Sequence, residues 1–274
     1  MNPKQIKLAL TVATPGALPS AFVVYREPLA VSLPKIAELG FDGVELALLD
    51  RSQVDLGELK RLLAATGLVV PMVSTGQVFA AGRCSFAAAD PSLRAKAETL
   101  FVGLLDVAAE LGAMINVGRI RGGVEGNGTR AEVEERVAES LRRMADRAAA
   151  SGVRVVLEPV NRYEIDLINS CAEGEDFLSR FGLEALRLMP DVFHMNIEDQ
   201  SIEGTLTRLV DLVGYIHFAD SNRQYPGSGH LNFSTLVGAL RAVDYRGWVG
   251  VEILPAPDPD TAARGAIEHL RRFI

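Results

Sequence analysis

The chain has 274 residues, 48% of them hydrophobic, which suffices for one large globular domain with a substantial core. A formal charge of −7 and a pI of about 5.3 argue against a duplex nucleic-acid partner, because neutralising phosphates takes a concentrated basic surface. No run approaches the ~18 apolar residues of a membrane span, MNPKQIKLALTV lacks the apolar segment and cleavage site of a signal peptide, and no linker divides the chain, so a single cytoplasmic domain over 1–274 is expected.

In chain order, a strand over 6–12 is followed by a helix over 29–39, a strand over 43–48, a helix over 55–66 and a strand over 68–74. A helix over 93–111, a strand over 113–118, a helix over 130–150 and a strand over 153–158 come next. Shorter helices at 173–181 and 202–209 precede strands over 185–193 and 213–219, and helices over 233–243 and 261–273 flank a last strand at 248–254. Strict alternation implies a parallel sheet, and eight units in this length predict an α/β fold of the closed (β/α)8 TIM-barrel type. The alternative is an open doubly wound sheet. It lacks support, because TPGALPSAF after the first strand carries two prolines and no GxGxxG turn. GGVEGNG at 122–128 has no following GK[ST] and reads as a flexible loop over an active site rather than a P-loop. Cys84 and Cys171 have neither CxxC spacing nor a partner framework and read as idle buried thiols.

In such a barrel the reactive groups project from the C-terminal ends of the strands. VRVVLEPVNRYE, at 153–164, ends an apolar run on Glu158, and Pro159 stops the ladder there and keeps Glu158 extended. The next strands end in PDVFH (Asp191, His194), IHFAD (His217) and VEI (Glu252). Each residue alone has an ordinary structural reading, as a solvated carboxylate, a core histidine, a turn aspartate or an ion-pair partner. On one rim together, two glutamates, an aspartate and a histidine form an oxygen-rich set suited to Mn²⁺, Mg²⁺ or Co²⁺. Without a cation they would be desolvated and would repel one another.

LEPVNRYE, DVFHMNIED, HFADSNR with PGSGHLNF, and VEIL together resemble the D-tagatose 3-epimerase-like members of the xylose isomerase-type TIM barrels, in the family's order and approximate spacing. STGQ at 74–77 and VGRIRGG are closest to the 5-keto-L-gluconate epimerases, a branch acting on keto-sugar acids. The resemblance implies that Glu158, Asp191, His217 and Glu252 hold one divalent ion, Mn²⁺ first with Co²⁺ or Mg²⁺ as alternatives. It also implies that Glu158 and Glu252 are the acid-base pair, and that Glu164, His194 and Arg223 contact substrate. Gln77 in STGQ and Arg121 in VGRIRGG are further substrate-binding candidates on the same ground. A homo-oligomer, dimer or tetramer, is implied too. PDVFH departs from the family, which usually has an aliphatic residue before the aspartate and a hydroxyl residue after it.

The chemistry of the residues agrees with a metal-dependent epimerase. Inverting a carbon beside a ketone requires removing a weakly acidic proton and returning one to the opposite face, which two carboxylates flanking the substrate can do. A divalent cation on the ketone oxygen and the adjacent hydroxyl would stabilise the enediolate. Arg119 and Arg121 follow the fourth strand, where a guanidinium could hold a substrate carboxylate, or equally be a solvated loop residue. The rival readings are an aldose-ketose isomerase such as hydroxypyruvate isomerase, and an apurinic endonuclease-like phosphodiesterase. The latter needs more histidine ligands than the chain's four histidines supply.

Overall fold

The computed structural model describes residues 6–82 and 84–274. Its sheet contains β1 (Lys7–Val12), β2 (Gly43–Ala47), β3 (Val69–Ser74), β4 (Met114–Val117), β5 (Val155–Leu157), β6 (Arg187–Leu188), β7 (Ile216–Phe218) and β8 (Trp248–Val251), all parallel where they pair. β1 pairs with both β2 and β8. Two parallel bridges, Leu188 to Val213 and Asp191 to His217, close the remaining seam between β6 and β7. There Gly214 N donates to Leu188 O at 2.9 Å and His217 N to Pro190 O at 2.8 Å. The eight strands form the predicted (β/α)8 barrel, and the open-sheet alternative falls.

Helices α1 (Leu29–Leu39), α2 (Leu56–Thr66), α3 (Gly76–Gly82), α4 (Pro91–Leu111), α5 (Arg130–Ala150), α6 (Cys171–Arg180), α7 (Val192–Glu198), α8 (Ile202–Arg208), α9 (Phe233–Ala242) and α10 (Pro259–Leu270) connect them. Their ends follow local chemistry. Thr129 and Glu132 form a reciprocal capping box at the start of α5, and Gly40, at φ 91°, ends α1 in the left-handed conformation that a side chain resists. Among the described residues no helix is long and apolar enough to cross a membrane.

One strand differs from expectation in a way that shapes the site. The sixth was predicted over 185–193, but its ladder is only Arg187–Leu188, and Asp191 instead caps α7 by accepting from Phe193 N at 2.9 Å. Pro190 has no N–H to extend the ladder, and the short carboxylate of Asp191 offers the following N–H groups a partner. The helices α3 and α7 were not anticipated, each being only seven residues long and following closely on a strand.

Side chains alternate across each strand with period two. Val73, Ile115, Val155, Leu157, Leu188, Ile216, Val249 and Val251 face the helices and belong to the main core. Their neighbours Met72, Met114, Val156, Met189 and Tyr215 form a separate buried cluster, which is the interior of the barrel. Two residues further along each strand, on the same inner face, come Ser74, Asn116, Glu158, Asp191 and His217, and Glu252 continues that face beyond Gly250. An apolar floor therefore carries a polar layer at the C-terminal mouth.

Candidate active site

In that polar layer one ligand atom from each of Glu158, Asp191, His217 and Glu252 lies within 4.8 Å of all the others. His217 is fully buried, and its Nδ1 stands 3.4 Å from Glu158 Oε1, 3.6 Å from Glu252 Oε2 and 3.9 Å from Asp191 Oδ2. That nitrogen has no hydrogen-bond partner. A buried, unpartnered imidazole nitrogen facing three carboxylates has the donor set and orientation of a metal-ligating histidine. The four residues therefore fit a divalent cation and could hold one.

The two glutamates differ in character. Burial works to raise the Glu158 carboxyl, but His217 outweighs it and holds the group below the usual range for a glutamate. Glu252 is pushed up to about 8, chiefly by burial, with His217 and Arg223 opposing and Glu158 and Glu45 adding to the rise. Asp191 is also held low, since Arg223 above all overcomes its burial.

Arg223 bridges this cluster, contacting Asp191 and Glu252, with the rings of Phe22 and Phe193 at 4.7 and 4.8 Å from its guanidinium carbon. Its backbone, at φ 63°, is in a region rarely adopted by residues other than glycine, asparagine and aspartate. His194 is buried on α7, with Nδ1 2.7 Å from the Asn161 amide nitrogen and Nε2 3.7 Å from Asp191 Oδ2. Burial lowers its pKa, which favours the neutral ring, with Nδ1 accepting from Asn161 and the proton on Nε2. Glu164 accepts from Asn161 at 3.2 Å and pairs with Arg119 at 3.6 Å. Glu158, Glu252, His194, Arg223, Glu164 and Arg119 line a small cavity of about 30 Å³. Beside it opens a cleft of about 830 Å³ that shares Glu164 and is bordered by Tyr163, Asp166 and the 122–128 loop. That loop is fastened, because the Asp166 carboxylate accepts from Val124 N at 2.7 Å and Glu125 N at 2.9 Å.

Residues 33–273 match the family described as xylose isomerase-like TIM barrel. The chain belongs to that family. Its relatives include an L-ribulose 3-epimerase of Methylomonas sp. (strain DH-1), 35% identical over 219 residues, which are 79% of this chain and 75% of that protein. A 3-dehydro-D-guloside 4-epimerase of Escherichia coli (strain K12) is 39% identical over 136 residues, 49% of this chain and 52% of that protein. The crystal structure of a D-allulose 3-epimerase from Methylomonas sp. matches with a TM-score of 0.82 at 27% identity, covering 99% of both chains. This member of the xylose isomerase-like family is thus an enzyme of the sugar isomerase/epimerase class.

Two expected substrate contacts are corrected. Arg121 is fully buried and all five of its N–H groups are engaged: Nε and Nη2 with Leu167 O, Nη2 with Ile168 O, and Nη1 with Gly118 O and Glu158 O, at 2.8–3.0 Å. No donor remains for a substrate carboxylate. Gln77 is likewise buried, donating to Ala47 O at 2.7 Å and accepting from Leu18 N at 2.8 Å, so it ties the loop after β1 to the end of β2. Other site residues escaped the sequence reading. Asn116 reaches Glu158 Oε2 at 3.4 Å, and Glu45 hydrogen-bonds His217 from inside β2. Each is the lone polar residue of an otherwise apolar strand, MINV or GVELA, which is the signal that could have revealed it.

Proposed function

We propose that this chain is a divalent-metal-dependent epimerase that inverts the carbon next to the ketone of a ketose, with Glu158 and Glu252 exchanging acid and base roles. The observation that carries this reading is geometric: the carboxylates of Glu158 and Glu252 stand 3.4 and 3.6 Å from a buried His217 Nδ1 that has no partner, with Asp191 completing the cluster. A divalent cation held by Glu158, Asp191, His217 and Glu252, Mn²⁺ foremost, would polarise the substrate carbonyl and offset developing negative charge. Glu158, held ionised, is suited to take the proton from the carbon. Glu252 is suited to exchange one at the opposite face. His194 can present its Nε2 proton to a substrate oxygen, and the Arg223 guanidinium, kept charged despite its burial by Asp191 and Glu252, can steady a second one.

The relatives that act on ketoses support a neutral sugar as substrate. With Arg121 withdrawn, a keto-sugar acid has to rely on Arg119 at the rim. The test is to incubate the Mn²⁺-loaded protein with a panel of ketoses and keto-sugar acids in D₂O and to read the products by NMR. A 3-epimer deuterated at the inverted carbon supports the proposal. An aldose product would establish the isomerase reading in its place.

A further inference from the structure

We infer that Glu45 is a positioning residue that presents His217 to the cation, by keeping the imidazole proton on Nε2 and the Nδ1 lone pair turned toward Glu158, Asp191 and Glu252. Glu45 is fully buried on β2 between Val44 and Leu46, in register with Met72 of the apolar floor. A carboxylate there is costly unless it has a specific partner. Its two oxygens lie 3.1 and 2.9 Å from His217 Nε2. The surroundings are cut to fit this contact. A Cβ on Gly250 would come within 2.8 Å of Glu45 Oε2 and 2.7 Å of the Tyr215 hydroxyl, so a bare glycine on β8 leaves room for both. Tyr215 also meets the imidazole edge-on, with ring centroids 5.7 Å apart at 82°, which limits ring rotation.

Glu45 is thus below His217, on the side away from the three carboxylates, and the ring is held between them. A histidine that binds a metal through one nitrogen usually donates from the other to a carboxylate or carbonyl, and loss of such a partner weakens metal binding about 10–100-fold. No part of the proton-transfer scheme requires Glu45, yet the ring's orientation depends on it.

The inference rests on the metal-dependent reading above, and the test separates the two. Mn²⁺ affinity would be measured by competition with a chelating indicator for the wild type and for Glu45→Gln, alongside the melting temperature of each metal-free protein. A roughly 10–100-fold weaker Mn²⁺ affinity in a folded Glu45→Gln protein supports the role. Equal affinities overturn it, whether or not the metal-free variant melts earlier. A wild type that binds no Mn²⁺ overturns the metal-dependent reading as well. If Glu45→Gln does not fold, ¹⁵N-histidine NMR of the wild type decides, since the chain has four histidines. Diamagnetic Cd²⁺ should shift His217 Nδ1 while Nε2 stays protonated, and metal at Nε2 refutes the proposal.

Discussion

Arg121 Nη1 donates to the backbone carbonyl of Glu158 at 2.9 Å, so the guanidinium predicted to hold substrate anchors the backbone of a proposed catalytic residue instead. Burial lowers its pKa to about 10, which still leaves it charged at neutral pH. Arg121→Ala would orphan the carbonyls of Gly118, Glu158, Leu167 and Ile168, at roughly 1–3 kcal/mol for each group left unpaired and buried. Urea denaturation should therefore show a loss of several kcal/mol. An unchanged unfolding midpoint, with a raised KM confined to acidic substrates, would restore the substrate-binding role.

Arg119 is the cation that remains at the mouth, half-buried and 3.6 Å from Glu164. If a substrate carboxylate is recognised at all, Arg119→Ala should raise KM for a keto-sugar acid well above its effect on a neutral ketose, because a uniform binding contribution is lost. Parallel changes in both would mean that the acid group is not read by this residue.

Gly118 follows β4 directly against the Glu158 carboxylate. A Cβ at that position would lie 2.5 Å from Glu158 Oε2, closer than packing allows. Gly118→Ala should displace the carboxylate, and misplacement by about 1 Å can reduce rate ~10²-fold. Kinetics and a thermal melt distinguish this from unfolding: kcat/KM should fall sharply with the melting temperature largely kept. Wild-type kinetics would mean that Glu158 has freedom to move aside.

The barrel and the identity of its polar rim were legible in the sequence because both are written in local patterns. Apolar runs alternate with helical spacing, and Glu158, Asp191, His217 and Glu252 each interrupt such a run at or near its C-terminal end. What escaped depends on the third dimension. Whether Arg121 turns outward to a substrate or inward to four carbonyls is decided by the 165–168 segment, 46 residues away along the chain at Leu167. Glu45 was hidden for a related reason. Its partner lies 172 residues further on, and only closure of the barrel brings β2 and β7 into reach of each other.

Metal removal should be visible in stability as well as activity. An ion that binds only the folded chain stabilises it by mass action, about 2.7 kcal/mol at a free concentration 100 times its Kd. Chelator-treated protein should therefore melt lower and be inactive, and Mn²⁺ or Co²⁺ should restore both properties. Full activity after exhaustive chelation, verified by metal analysis, would sink the metal-dependent mechanism.

Glu158 and Glu252 can be tested as separate bases. Replacing either by Gln keeps its size and one possible oxygen ligand but removes the proton acceptor, so epimerisation should fall by at least the ~10²–10⁴-fold associated with general acid-base catalysis. Loss of the cation could produce the same deficit, which makes bound Mn²⁺ the first measurement on each variant. Those that retain it are then incubated with substrate in D₂O. The surviving group in Glu252→Gln is the Glu158 carboxylate. It can remove a proton and return deuterium to the same face, giving exchange without inversion. Glu158→Gln retains only Glu252, so any exchange it shows should likewise occur without inversion. A metal-loaded Glu158→Gln protein that epimerises at the wild-type rate would reduce Glu158 to a ligand and remove the two-base mechanism.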